Sequence, residues 1–108
     1  MPSYYLKRDY KLLGFRKSNV KGKQYYALLE QKQNKKLVRV NFGSMMENYR
    51  DITGLNAYPH LIHGDKTRRK AYRSRHIGYL KDGYYSPSYF SYYYLWIMFY
   101  IVSVMVLY

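Results

Sequence analysis

No residue after Asp82 carries a charge: all 19 Lys and Arg and all six Asp and Glu of this 108-residue chain lie at or before it, and residues 83–108 hold none. The chain is thus two materials joined end to end. The front carries the whole net charge of +13, far more base than its acids can neutralise. A single-sign field of this size attracts nucleic acid, anionic lipid or acidic protein surfaces, and sign alone does not choose among them. Seventeen tyrosines add rings with polar tips, favoured where protein meets protein or a membrane interface.

The length allows one domain at most, with a marginal core in the segment before the tail. With no cysteine, a disulfide framework, a thiolate nucleophile and a cysteine-ligated zinc are all excluded. The N-terminal Met1-Pro2-Ser3-Tyr4-Tyr5-Leu6-Lys7 lacks the apolar run and small-residue cleavage site of a secretory signal.

Residues 10 to 43 read as three short strands separated by basic turns. Tyr10 to Phe15 and Gln24 to Leu29 flank the polar, glycine-containing break at Ser18 to Lys23, and a second break at Gln31 to Lys36 precedes Leu37 to Gly43. In that last run Val38, Val40 and Phe42 alternate with Arg39 and Asn41, the period of a half-buried strand. A three-stranded antiparallel meander is expected. Ser44 to Gly64 keeps no period and is expected to be an irregular connection wrapped around the sheet.

Asp65 stands as an N-cap before Lys66-Thr67-Arg68-Arg69-Lys70-Ala71-Tyr72-Arg73-Ser74-Arg75-His76, a short basic helix ending near Gly78. Lys66, Arg68, Arg69, Lys70, Arg73 and Arg75 cannot all find acids nearby, so the helix is solvated or faces an acidic partner. Asp51 and Asp65 are expected to pair with Arg68, Arg69 or Arg73 and fix the connection against this helix.

Ser86-Pro87 is the next start signal, with serine as cap and proline at the first helical position. The 21 residues from Ser88 to Tyr108 contain no Gly, Pro or charge, and as a helix would extend about 30 Å, the thickness of a bilayer's hydrocarbon core. The expected fold is α+β: a small three-stranded antiparallel sheet, a short basic helix and a long apolar C-terminal helix. Residues 1–86 would form the basic head and 87–108 the anchor. Only Leu95 to Leu107 is strongly lipophilic, short of the roughly 17 to 25 residues of a spanning helix. Docking into a neighbouring protein therefore stands beside membrane insertion. Leu95, Trp96, Ile97, Phe99 and Ile101 would carry either contact. Val102, Val104, Val106 and Leu107 would extend it.

Several segments together resemble a known family: Val40-Asn41-Phe42-Gly43, Tyr49-Arg50-Asp51-Ile52-Thr53, the run His63 to His76, Ser86-Pro87-Ser88-Tyr89-Phe90-Ser91, and Leu95-Trp96. In order and spacing they resemble a small basic domain of otherwise unknown function that recurs in nucleocytoplasmic large DNA viruses. The resemblance covers about residues 10 to 96, and the run from His63 to His76 is its most specific part. It implies a virion protein, a minor capsid component beneath the major capsid shell, present in many copies, with no enzymatic activity and no cofactor. Its partners would be the major capsid protein, other minor capsid proteins and the inner viral membrane; it would reside in the virion, and in host cytoplasm during assembly. The apolar residues after Trp96 depart from the family pattern.

Other chemistry has little support in the residues. His60 and His63 have a spacing a metal site could use, but no third ligand is assured. No carboxylate pair, triad or phosphate-loop spacing appears. Two rival readings remain, a tail-anchored basic membrane protein unrelated to virions and a nucleic-acid binder: in the latter the basic helix could neutralise phosphates, with Tyr72 and Tyr79 to stack bases. It carries no Asn or Gln for base edges, so such binding would ignore sequence.

Overall fold

The computed structural model describes residues 4–96. Strand β1 (Tyr5–Leu6) opens the chain, and β2 (Tyr10–Lys17), β3 (Lys23–Gln31) and β4 (Leu37–Ser44) form the antiparallel meander in the order β2-β3-β4. Helix α1 (Lys66–His76) and strand β5 (Tyr84–Tyr85) follow. Helix α2 (Pro87–Phe90) closes the fold and runs on as a π-helical turn, Ser91–Leu95. The fold is α+β, with a three-stranded sheet and a second, two-stranded sheet in which Tyr5 pairs with Tyr85 and Leu6 with Tyr84.

Strand alternation sorts the meander into two faces. Tyr25, Ala27 and Leu29 of β3 and Val40 and Phe42 of β4 are buried and form the floor of the core. Tyr26, Leu28, Arg39 and Asn41 alternate with them. In β2 the register shifts between Leu12 and Gly14, so Leu13 is the extra residue of a bulge.

The floor is roofed by α2 rather than by α1. Phe90 is fully buried against Phe15 (5.8 Å), Phe42 (5.4 Å) and Tyr85 (5.4 Å), and Tyr94 adds a second contact to Phe15 (4.6 Å). Ser86 caps α2 by accepting the Tyr89 N–H at 3.1 Å. Gly43, at φ 81°, lies where any Cβ would come within 2.8 Å of Leu95 Cδ1, so both its backbone and the close approach of the π turn call for glycine.

The connection between β4 and α1 is tied down by polar groups. Gln24 and Asn48 are buried and exchange two side-chain hydrogen bonds of 2.8 Å, while Gln24 also donates to the Ser44 carbonyl. Further on, the Tyr25 hydroxyl donates to Asp51 and accepts from the Ala57 N–H at 2.9 Å. Burial and the adjoining carboxylate push this phenol up to about 12.

The expectation of a long apolar C-terminal helix is corrected here. The helical stretch that begins at Pro87 ends at Leu95, and Trp96 leaves helical geometry at φ −126°, ψ 30°. The cause lies in its final carbonyls. The Leu95 oxygen accepts from the N–H groups of Tyr49 (3.0 Å) and Arg50 (2.8 Å), the Tyr94 oxygen accepts from Ile52 N–H (3.0 Å), and the Trp96 oxygen accepts from Arg73 (2.8 Å). Acceptors that a continuing helix would use internally are satisfied by the connection and by α1. Among the described residues no helix is long and apolar enough to cross a membrane.

Candidate functional site

The basic helix starts where its cap dictates. Asp65 accepts from the N–H groups of Thr67 (2.8 Å) and Arg68 (3.2 Å), and these bonds hold its carboxyl below the ordinary value of 3.8. No acid lies within the first turn to complement the helix dipole, so Asp65 alone does so.

At 3.6 residues per turn, Arg69, Tyr72, Arg73 and His76 share one side of α1, and all four are half-buried. That side is seated on a column of rings. Tyr72 stacks on Trp96 at 4.1 Å with the planes 5° apart, His76 stacks on Tyr72 at 3.9 Å, and His63 packs against Trp96 at 5.3 Å. Burial raises the Tyr72 phenol. The Arg73 guanidinium lies 3.9 Å from the Tyr92 ring while donating to the Trp96 carbonyl, a planar cation used at once for stacking and for hydrogen bonding. Arg69 lies over the Tyr49 ring at 5.0 Å. The hydrogen bond from Arg50, aided by the charges of Arg50, Arg69 and Lys66, draws the Tyr49 phenol below its usual range against a smaller opposing effect of burial.

The remaining bases of the helix, Lys66, Arg68, Lys70 and Arg75, are exposed. Arg68 reaches Glu47 at 3.0 Å and Asp65 at 3.8 Å, exposed contacts of small energetic weight. Lys66, Lys70 and Arg75 make no ion pair among the described residues. Thr67, Ala71 and Ser74 form the outermost ridge between two basic rows. Next to the helix stand three exposed apolar side chains, Met46, Ile77 and Tyr79, at 79%, 55% and 59% exposure. A cleft of about 300 Å³, lined by Glu47, Tyr72, Arg75, His76 and Trp96 among others, separates Met46 from α1.

Of the six bases singled out in sequence, four therefore face outward, and Arg69 and Arg73 are turned toward the core. Asp65 approaches Arg68 as well as capping the helix. The Asp51 carboxylate is engaged by Tyr25, by the Thr53 N–H (2.9 Å) and by the Thr53 hydroxyl (2.6 Å). Leu95 and Trp96 lie in this domain's own core, at 0% and 4% exposure. Ile97, Phe99, Ile101, Val102, Val104, Val106 and Leu107 lie outside the described residues.

His63 accepts the Asp65 N–H on Nδ1 at 2.8 Å and turns Nε2 toward Glu47, 3.7 Å away, whereas His60 packs beside Tyr58. No group of three or more His, Asp or Glu that could hold a metal occurs among the described residues. Sequence reasoning missed Arg73 as the bond between α1 and the closing turn. It also missed the Gln24–Asn48 pair, for which no periodicity or motif gives a signal. Comparison of the chain with family models, with curated proteins and with solved structures returned no match.

Proposed function

We propose that this chain is a structural minor capsid protein of a large icosahedral double-stranded DNA virus, cementing capsid proteins beneath the major shell. The observation that carries the reading is the outer surface of α1. Lys66, Lys70 and Arg75 are exposed and make no ion pair among the described residues, on a helix whose other side is fixed to the core through Tyr72 and Arg73. Met46, Ile77 and Tyr79 beside it supply exposed apolar anchors within a charged rim, the composition of a protein-docking patch. The motif order of the sequence supports the viral setting. The apolar residues 97–108 would add a second attachment, to a neighbouring chain or to the inner membrane. One copy offers little area, so adhesion arises from repetition across a shell.

Amine cross-linking of purified particles carrying the chain tests this. Links from Lys66 and Lys70 to acidic stretches of the major or minor capsid proteins are expected. A chain that does not copurify with particles, or that links to no capsid protein, would refute the proposal.

A further inference from the structure

The second basic surface of the molecule is the outward face of the meander, and it has a different chemistry from α1. Residues 10–44 carry nine Lys and Arg against one acid, Glu30, which stands opposite Lys11 in the β2–β3 register. Register places Arg16, Tyr26 and Asn41 in one row across the three strands, and Leu28 beside Arg39 in the next. The Arg39 guanidinium lies 4.6 Å from the Tyr26 ring, and Arg16 and Arg39 are both exposed. Their aromatic counterparts on the opposite face, Phe15 and Phe42, are covered by Phe90. This face thus offers a ring and two planar cations at its centre.

Its margins offer point charges. Lys21 and Lys23 are exposed at the β2–β3 turn, and Lys32, Lys35 and Lys36 at the β3–β4 turn, whereas Lys17 turns to the core side, 5.5 Å from the Tyr58 ring. Nine residues of β3 separate the two clusters, about 30 Å at the rise of a strand. At the free edge of β4 a cleft of about 330 Å³ is lined by Lys23 and Arg39 together with Tyr5, Val40, Asn41 and Pro87. Two cations beside an open cleft suit a phosphate.

We infer that this sheet face binds single-stranded nucleic acid without regard to sequence, its bases stacking on the Tyr26–Arg39 pair and its phosphates running between the two lysine clusters. Base stacking on rings and guanidinium planes beside a cationic track is how sequence-tolerant single-strand binding works. An acidic protein surface would match the charge but make no use of the ring–guanidinium pair. The outward side of α1 carries no aromatic ring, so the two surfaces divide the work: charge and apolar anchors on the helix, stacking on the sheet.

Fluorescence anisotropy of labelled (dT)12 with the full chain in non-ionic detergent tests the inference. Affinity is expected to fall linearly with salt on logarithmic axes. Tyr26→Ala should weaken binding about ten-fold while Tyr26→Phe preserves it. Arg16→Gln with Arg39→Gln should lower the salt slope, and Lys70→Gln on α1 should change affinity less than about two-fold. Photo-cross-linking of (dT)12 to the unaltered chain should place adducts on the peptide containing Tyr26, a readout independent of whether any variant folds. Equal affinity of Tyr26→Ala and the parent, adducts confined to α1, or equally strong competition by polyglutamate would overturn it. Because α1 is not involved, a negative result here leaves the capsid-docking proposal standing, and the reverse also holds.

Discussion

The two helical regions of this molecule are fixed by opposite means. Pro87 to Trp96 puts Phe90 and Leu95 at 0% exposure and Trp96 at 4%, whereas α1, of similar length, half-buries four side chains and buries none completely. The closing helix is held by hydrophobic burial; α1 is held by stacking, by one arginine and by its cap. Burial of an aromatic ring is unspecific in direction but large, while a hydrogen-bonded arginine is smaller and sets a geometry. The closing helix thus completes the core, and α1 is a platform laid upon it, attached through the Tyr72–Trp96 stack and Arg73 rather than through a buried apolar face.

The strongest test of that contrast is Phe90→Ala. The ring fills the space between Phe15, Phe42 and Tyr85, and its loss should cost about 3 to 5 kcal/mol. Urea unfolding followed by the fluorescence of Trp96, the one tryptophan of the chain, should show a large drop in midpoint affecting sheet and helix together. If only α1 loosens, the assignment of the core to the closing helix is wrong.

Arg73→Ala comes next. It removes the 2.8 Å bond to the Trp96 carbonyl and the stack on Tyr92, for an expected loss of about 1.5 to 3 kcal/mol. Hydrogen exchange separates this from the first case: amides of α1 should exchange faster while those of β3 keep their protection relative to the new global stability. Arg73→Lys should recover little, because an ammonium cannot stack and donate in the same plane. Uniform loss of protection would mean that α1 is part of the core's cooperative unit and not a platform.

The same contrast explains what was legible in the sequence. The meander was readable because Val38, Val40 and Phe42 alternate with polar neighbours, and α1 was readable because Asp65 and a glycine bracket a run of good helix formers. Ser86-Pro87 announced the start of the closing helix. Its stop was hidden, since no glycine, proline or charge marks it; Trp96 ends the helix only because Tyr49, Arg50, Ile52 and Arg73 arrive from elsewhere to take its carbonyls. The β1–β5 pair was also hidden, two residues long on each side and separated by most of the chain. At the candidate site, charge marked the six bases of α1, yet only contacts with Tyr49, Tyr92 and Trp96 decide that Arg69 and Arg73 turn inward. The stacking face of the meander stood in the alternation of Arg39 and Asn41, but its composition became meaningful only once register set Tyr26 between Arg16 and Asn41.

Asp65→Ala should have the smallest effect and sharpens the comparison through pH. Lys66 and Arg68 crowd the N-terminal end of α1, where the helix dipole disfavours positive charge; the Asp65 carboxylate offsets them at the cap, and Glu47 pairs Arg68 from the connection. Its folded pKa lies below 3.8, chiefly through the backbone N–H of Arg68 and then that of Thr67. Its contribution is therefore fully present above the unfolded value and is lost as pH falls through the lower folded one. The melting temperature of Asp65→Ala should lie below that of the parent at neutral pH, and the gap should close as the pH is taken below 3.8. Asp65→Asn, which keeps an acceptor but no charge, should fall between the two at neutral pH and be nearly insensitive to this acidification. A gap that persisted unchanged at low pH would assign the effect to chain geometry rather than to the charged cap. The attachment of α1 would then be less electrostatic, and less unlike that of the closing helix, than its sequence implies.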